Sequence, residues 1–445
     1  MRSALLLLGL LAVAPVAAAQ DASQPLTLDE ARRVAVEKNP RYRQAQNGVV
    51  TARAVERRGL EAFLPELQLS VSSGGYLSRI FTGLDEFGKP VRRPDPLSLT
   101  GSSSNQQISL SSVTLFDGGI RYRDLRAARA EGDAADAAVL LGASTLDAEL
   151  TRRYYDAKRK GELIHLEEEL LKSAEARHAA TERLLRIAAA SPVDLLGAEI
   201  EVAEQARVLE MARGDARKAM LALGEEMGVS DAPSWELTSE PPPVFDPSRF
   251  DADSVAARAA VVSPLLAQLN ARVVAGEQRS KSAGASRWPR ISAYAGFGRS
   301  IGTEGYGSFF DPNPLNQSLS FGLSVSIPVF TAYRTTLQVT QARVAAMNAH
   351  EDAEAARLTL EREVRSALID LENAYRTDQL AERGRDLARR RLDLANQQFR
   401  IGALSYVNLQ SVVEQAANAE RAAINARYDF AAARATLEEK AGRAF

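Results

Sequence analysis

Cysteine is absent from all 445 residues. Its absence excludes a disulfide framework and thiolate metal sites, and with them a lipid-modified N-terminal cysteine. Aromatic residues are scarce at 6%, which suits long alanine-rich helices better than a compact globule. His165, His178 and His350 stand far apart without ligand companions at suitable spacing, so the sequence offers no metal site. An excess of one charge is missing too. The net charge of −2 gives no global field that would favour nucleic acid or an anionic surface. Arg389-Arg390-Arg391 lies between Asp386 and Asp393 and reads as a solvated helix face. No nucleophile and base stand at a catalytic spacing, and no Gly-Lys-Ser/Thr follows Gly118-Gly119 to make a phosphate loop. The expectation is a protein that is not an enzyme and holds no cofactor. Past the first residues no eighteen-residue run is wholly apolar, so no membrane-spanning helix is expected.

What the sequence does have begins at its start. Arg2, the apolar stretch Ala4 to Val13 and the small residues Ala17-Ala18-Ala19 have the form of a secretory signal peptide over 1–19, cleaved before Gln20.

Beyond it the chain is written twice. Leu115-Phe116-Asp117-Gly118-Gly119 opens a helical pattern that ends at Arg186-Ile187, and Val329-Phe330-Thr331-Ala332-Tyr333 opens one that ends at Arg400-Ile401. A constant offset of 214 positions overlays Phe116 on Phe330, Leu146 on Leu360 and Arg186 on Arg400. Upstream the offset is 224, which overlays Asn39-Pro40 on Ser263-Pro264 and Leu64-Pro65 on Trp288-Pro289. An internal repeat of this length makes each half one structural unit. The repeats are assigned to 20–227 and 254–441, joined by a Pro-rich linker or equatorial segment over 228–253 and followed by a short tail, 442–445.

Within a repeat the pattern reads short helix, helix, strand, loop, strand, very long helix, turn, helix. Thr27 and Glu30 form a capping-box pair, and Pro40 ends the first helix at Asn39. Leu67, Leu69 and Val71 alternate with Gln68, Ser70 and Ser72, as in a strand. Ser78 to Gln106 reads as a surface loop because it is rich in Gly, Pro, Ser and charge. Alternation resumes at Ile108 and Leu110 and slips by one near Ser111-Ser112, which predicts a β-bulge. In the second repeat Ile291, Ala293, Ala295 and Phe297, then Leu319, Phe321, Leu323, Val325 and Ile327, alternate with Ser, Gly and Tyr. Four strands with one apolar face and one Ser/Gly face match a membrane β-barrel with a wet lumen.

The helices carry narrow seams. Leu146, Leu150, Tyr154 and Ala157 step by threes and fours, while Leu195, Val202, Leu209, Ala216 and Leu223 recur every seven, as do Leu409, Ala416, Ala423, Phe430 and Leu437. Each repeat therefore holds an antiparallel helical hairpin with a first arm of roughly 100 Å. Ser191 and Ser405 are the N-caps after the two turns, and Pro192 takes the first helical position.

Four strands cannot close a barrel, and open edges in lipid leave backbone groups unpaired at several kcal/mol each. The chain must associate with itself, and three copies give twelve strands, the smallest multiple of four expected to leave an aqueous lumen. Leu26-Thr27-Leu28-Asp29-Glu30-Ala31, Asn39-Pro40, Leu64-Pro65, Phe116-Asp117-Gly118-Gly119 and the duplicated hairpins together resemble the TolC-type outer membrane efflux protein family over nearly the whole mature chain. The resemblance implies an α+β membrane protein: a homotrimeric 12-stranded barrel in outer-membrane lipid, continued by a long α-helical periplasmic tunnel. Its partners would be a periplasmic adaptor and an inner-membrane transporter of a tripartite pump or type I secretion system, in a Gram-negative bacterium.

The resemblance also assigns sites. Arg186, Ile187, Ala189, Ser191, Pro192, Arg400, Ile401, Gly402 and Ser405 would form the adaptor-contacting hairpin tips. Asp194, Phe399, Leu404, Asn408 and Ser411 would form the periplasmic gate, and Phe116, Asp117, Gly118, Gly119 and Phe330 the strand-to-helix seams. Phe399 and Leu404 stand where the family's well-known member carries a Tyr and an Arg that bond to the other hairpin. Neither can donate such a bond, so closure here must rest on other contacts. The alternative is a periplasmic adaptor, which also carries a long hairpin, though one hairpin between lipoyl-like halves rather than two. A soluble coiled-coil scaffold would not need the Ser-alternating strands.

Overall fold

The repeat is visible in the lengths of the elements. In the computed structural model, which describes residues 24–78, 82–92, 98–187, 190–230, 235–303, 316–401 and 403–442, the first repeat runs as follows. Strand β1 (Gln24–Leu26) leads into helices α1 (Leu28–Lys38) and α2 (Pro40–Glu61). Strands β2 (Leu67–Ser78), β3 (Thr82–Leu84), β4 (Pro90–Arg92) and β5 (Ser98–Phe116) precede helices α3 (Ile120–Arg186) and α4 (Pro192–Met227). Strand β6 (Trp235–Leu237) then leads to α5 (Ala252–Val262), α6 (Pro264–Ala285), β7 (Arg290–Thr303), β8 (Asn316–Ser326), α7 (Arg334–Arg400) and α8 (Tyr406–Ala441). Helices α3 and α7 both have 67 residues, and α4 and α8 both have 36. Among the described residues no single helix is long and apolar enough to cross a membrane. The signal-peptide stretch and residues 443–445 lie outside the described residues.

Two compact units share these elements, and each draws on both repeats. One comprises 1–44, 142–262 and 360–445, the other 45–141 and 263–359. In the first unit α1 is set by its cap. Thr27 Oγ1 accepts from the Glu30 amide at 3.2 Å, and the Glu30 carboxylate accepts from the Thr27 amide at 3.0 Å. Leu28, Ala31 and Ala35 then pack with Leu150, Tyr154, Leu223, Met227 and Tyr428 in a single buried cluster. The seam residues Leu146, Leu150, Tyr154 and Ala157 are buried, as are Leu409, Ala416, Ala423, Phe430 and Leu437 of α8.

The segments around α1 and after α4 are more ordered than their composition suggests. Strands β1 and β6 form a two-stranded parallel sheet. The Tyr154 hydroxyl donates to the Leu26 carbonyl at 2.7 Å and accepts from the Ser239 amide at 2.9 Å, which fixes both strands. Three-residue strands carry too little alternation to be read from sequence.

The second unit is built on a four-stranded antiparallel sheet in the order β2-β5-β7-β8. Its register keeps like with like: Ile291 faces Val325, Ala293 faces Leu323 and Phe297 faces Leu319, while Ser292 faces Ser324 and Gly296 faces Ser320. Leu67, Leu69, Val71, Phe321, Leu323 and Val325 are all exposed in the single chain. The slip expected near Ser111-Ser112 is present as a register shift between Leu110 and Val113. The surface loop expected over Ser78–Gln106 is corrected by the structure. Strand β5 begins at Ser98, and β3 and β4 form a short antiparallel hairpin. A run of Ser, Gly, Asn and Gln has no apolar alternation to announce a strand, yet the β2 backbone supplies it with a ladder partner.

Candidate functional site

At the first hairpin tip, Ser191 caps α4 in extended geometry. Its Oγ accepts from the Asp194 amide at 3.2 Å, and Asp194 Oδ2 accepts from the Ser191 amide at 2.9 Å and the Ser191 hydroxyl at 2.8 Å. The Ser191 backbone N–H, then its hydroxyl, holds the Asp194 carboxyl below the usual range. At the second tip Ser405 accepts from the Asn408 amide at 3.4 Å, and no carboxylate stands at Asn408 to reciprocate. Ile187, Val193, Ile401 and Val407 project exposed apolar surface from the two tips, beside exposed Arg186 and Arg400 and the exposed Pro192. Ala189 and Gly402 lie outside the described residues.

Phe399 and Leu404 pack against a buried cluster of Ala395, Leu409, Val412 and Val413. Ser411 accepts from Gln415 at 3.4 Å within α8. These contacts of Leu404 and Ser411 lie within the second hairpin and the hydrogen bonds of Asp194 within the first, whereas Phe399 also lines a cavity with Ala176, Ala180 and Leu184 of α3. The bonds between hairpins come from residues the sequence reasoning did not single out.

Nearest the tips, the Tyr406 hydroxyl donates to Glu201 Oε2 of α4 at 2.7 Å, and Glu201 also holds the Arg177 guanidinium of α3. The Tyr406 ring meets Phe399 edge-on at 6.4 Å. Burial, then the Glu201 carboxylate, pushes the Tyr406 phenol well above its ordinary value, so it remains a donor at neutral pH. Further along α3, the buried Glu167 carboxylate accepts from Arg421 of α8 at 2.7 and 2.8 Å and from Gln205 of α4 at 2.5 Å. Tyr428 then donates to Glu162 at 2.5 Å, Arg159 meets Asp429 at 3.0 Å, and Arg152 meets Glu439 at 3.0 Å. As the α3 partner number falls the α8 number rises, so these contacts form one antiparallel ladder. Charge-assisted bonds of this kind contribute about 1.5–3 kcal/mol each where they are shielded from water. The only sequence signal for the ladder was the presence of ionisable side chains beside the apolar seam positions.

At the first seam, Asp117 is nearly buried and accepts from the Gly119 amide at 2.9 Å and from Arg121 Nε at 2.8 Å. Burial raises its carboxyl, but the Arg121 and Gly119 bonds outweigh that and hold it below its ordinary value. Arg121 also donates to the carbonyls of Thr114 at 2.6 Å and Ala62 at 3.2 Å. Gly118 and Gly119 sit at φ 69° and 89°, and a Cβ on Gly118 would lie 2.8 Å from Trp288 Cβ. At the second seam Phe330 is exposed, and Ala332 and Tyr333 adopt the same left-handed region at φ 47° and 61°.

Among the described residues no group of His, Cys, Asp and Glu could hold a metal ion.

No curated protein matches the sequence. Solved structures do match its fold. A membrane protein from Pseudomonas aeruginosa is 20% identical with a TM-score of 0.77, over 93% of this chain and 93% of that one. The CmeC outer membrane channel of Campylobacter jejuni is 16% identical with a TM-score of 0.75, over 93% and 85%. The MtrE outer membrane channel of Neisseria gonorrhoeae, in its open state, is 18% identical with a TM-score of 0.72, over 93% and 88%. The sequence profile of the Outer membrane efflux protein family matches residues 31–229 and 255–443, one block in each repeat, and the chain belongs to that family.

Proposed function

We propose that the protein is the outer-membrane exit duct of an efflux system, in which three copies close a 12-stranded barrel and their helical hairpins line a periplasmic tunnel. The observation that carries this is the four-stranded sheet, apolar on one face, Ser and Gly on the other, with β2 and β8 each lacking a neighbour on one side among the described residues. A bilayer cannot satisfy those edges, and a closed ring can. The family supports an outer-membrane efflux channel and gives no support to the adaptor alternative.

The hairpin tips would form the periplasmic entrance, where an adaptor and an inner-membrane transporter engage the exposed residues around Ile187 and Ile401. The ladder from Glu201–Tyr406 to Arg152–Glu439 would hold the two hairpins together, so opening requires that its tip-proximal bonds part. The duct itself consumes no energy.

Single-channel recording of the reconstituted protein tests this reading. The expected result is a low conductance that rises several-fold when Glu167→Gln and Tyr406→Phe are combined. A preparation that inserts but never conducts, with or without those substitutions, would contradict it.

A further inference from the structure

Between the two hairpins, close to their tips, lies a cavity of about 510 Å³ for which the exit duct has no use. Its apolar wall is made by Ala176, Ala180 and Leu184 of α3, Phe399 of α7 and Leu409 of α8. The repeat explains why there is room. At the offset of 214, Ser173, Ala176 and Ala180 stand where the other hairpin carries Leu387, Arg390 and Leu394, so this wall lacks three long side chains. A cleft of that volume with a largely apolar lining falls within the range of small-molecule sites, ~300–1,000 Å³.

The charges around it are of one sign. Arg177, Arg183 and Arg400 line the cavity beside neutral Ser173 and Asn396, and no carboxylate is among the described lining residues. Arg177 is engaged in part, since Glu201 holds its guanidinium and its Nη1 donates to Ser173 Oγ at 2.7 Å. Its Nε is nevertheless a buried donor with no acceptor, an arrangement that is costly unless something fills it. Arg183 and Arg400 are exposed, and neither has a hydrogen-bond or ion-pair partner among the described residues.

We infer that this cavity binds a small amphiphilic anion, whose carboxylate-type head meets the guanidinium rim and whose apolar tail lies against Ala180, Leu184 and Phe399. Guanidinium groups suit such a head because their fork of donors matches two oxygens at once. A neutral amphiphile would leave the rim unmet, and a cation would be repelled by it.

The ligand would touch α3 through Arg177 and Arg183 and α7 through Arg400, so it binds best when the hairpins are together. A ligand shifts an equilibrium toward the state it binds better. Its place is also the tip end of the ladder, where the Tyr406 ring meets Phe399 and the Tyr406 hydroxyl meets Glu201. Occupancy is therefore a brake on opening. The brake, unlike the binding, rests on the exit-duct reading.

Octanoate is the probe, measured by equilibrium dialysis against the mature protein in lipid nanodiscs, with empty nanodiscs subtracted. The expected result is saturable binding that weakens at least tenfold in Arg183→Gln/Arg400→Gln and in Ala180→Leu, while octanol does not saturate. Because Arg183 and Arg400 are exposed, their variant serves even if the cavity-filling one fails to fold. Octanol binding as tightly as octanoate, no saturable octanoate binding, or equal affinity in the unmodified protein and the arginine variant overturns the site. In planar bilayers octanoate should lower the conductance of the Glu167→Gln/Tyr406→Phe variant at least twofold, and not once Arg183→Gln/Arg400→Gln is added. Saturable binding with unchanged conductance overturns the brake alone. A protein that binds octanoate and never conducts overturns the duct reading instead.

Discussion

The two strand-to-helix seams share a backbone path and differ in the residues set upon it. The first is built of Gly118 and Gly119 and covered by Trp288, while the second asks Ala332 and Tyr333 to adopt positive φ in the open. A left-handed alanine or tyrosine costs on the order of 1–2 kcal/mol that glycine does not. The tips repeat the lesson, since the same helix start is capped by a reciprocal Ser191–Asp194 box in one copy and by Ser405 alone in the other. Duplication has kept geometry and let chemistry diverge wherever the two copies meet different neighbours.

The largest test of that comparison is Gly118→Ala. It adds backbone strain and a Cβ 2.8 Å from Trp288 Cβ and 3.0 Å from the Ala285 carbonyl, for a loss of about 2–4 kcal/mol in unfolding free energy. The mirror change, Ala332→Gly, should raise stability by at most about 1 kcal/mol, because relief of strain is offset by freedom in the unfolded chain. Equal and small effects at both seams, measured by denaturant unfolding, would erase the distinction.

Tyr406→Phe comes next. It removes a donor from Glu201 and should cost about 1–2 kcal/mol, with conductance rising as the hairpins loosen. Ser411→Ala, whose bond stays within α8, should leave conductance unchanged. At high pH the unmodified protein should behave like the Tyr406 variant. The Tyr406 and Tyr428 phenols are raised first by burial and then by Glu201 and Glu162. Their stabilising contribution is therefore whole below the ordinary phenol value near 10 and is lost as pH climbs through the higher folded values.

The smallest effect separates the tips. The Asp194 carboxyl is depressed, so its contribution is present above its ordinary value and lost as pH falls through the folded one. Protection of the amides around Ser191, taken relative to their intrinsic exchange rates at each pH, should fall below about pH 4 while that around Ser405 does not, and Asp194→Asn should remove the difference. Matched acid profiles at the two tips in the unmodified protein would show that the carboxylate is immaterial.

Much of this architecture is legible in the sequence, because periodicity and punctuation act locally. Thr27 and Glu30, Pro40, Ser191 and Ser405 set helix ends through neighbouring amides, and the alternation of Ile291 to Phe297 with Ser and Gly sets the faces of a strand. The β1–β6 sheet and the Ser-rich start of β5 were hidden because their order comes from partners distant in sequence. The bonds of Glu167 with Arg421 and of Glu201 with Tyr406 were hidden for the same reason. An ionisable residue beside an apolar seam looks alike whether it meets water or the opposite hairpin, and only the packed register of α3 against α8 decides.

The account stands on self-association through the sheet edges, and the mass of the purified mature protein in mild detergent, by native mass spectrometry, tests that directly. It predicts one species of three chains that requires detergent to remain in solution. A monodisperse single chain, soluble without detergent, would contradict it.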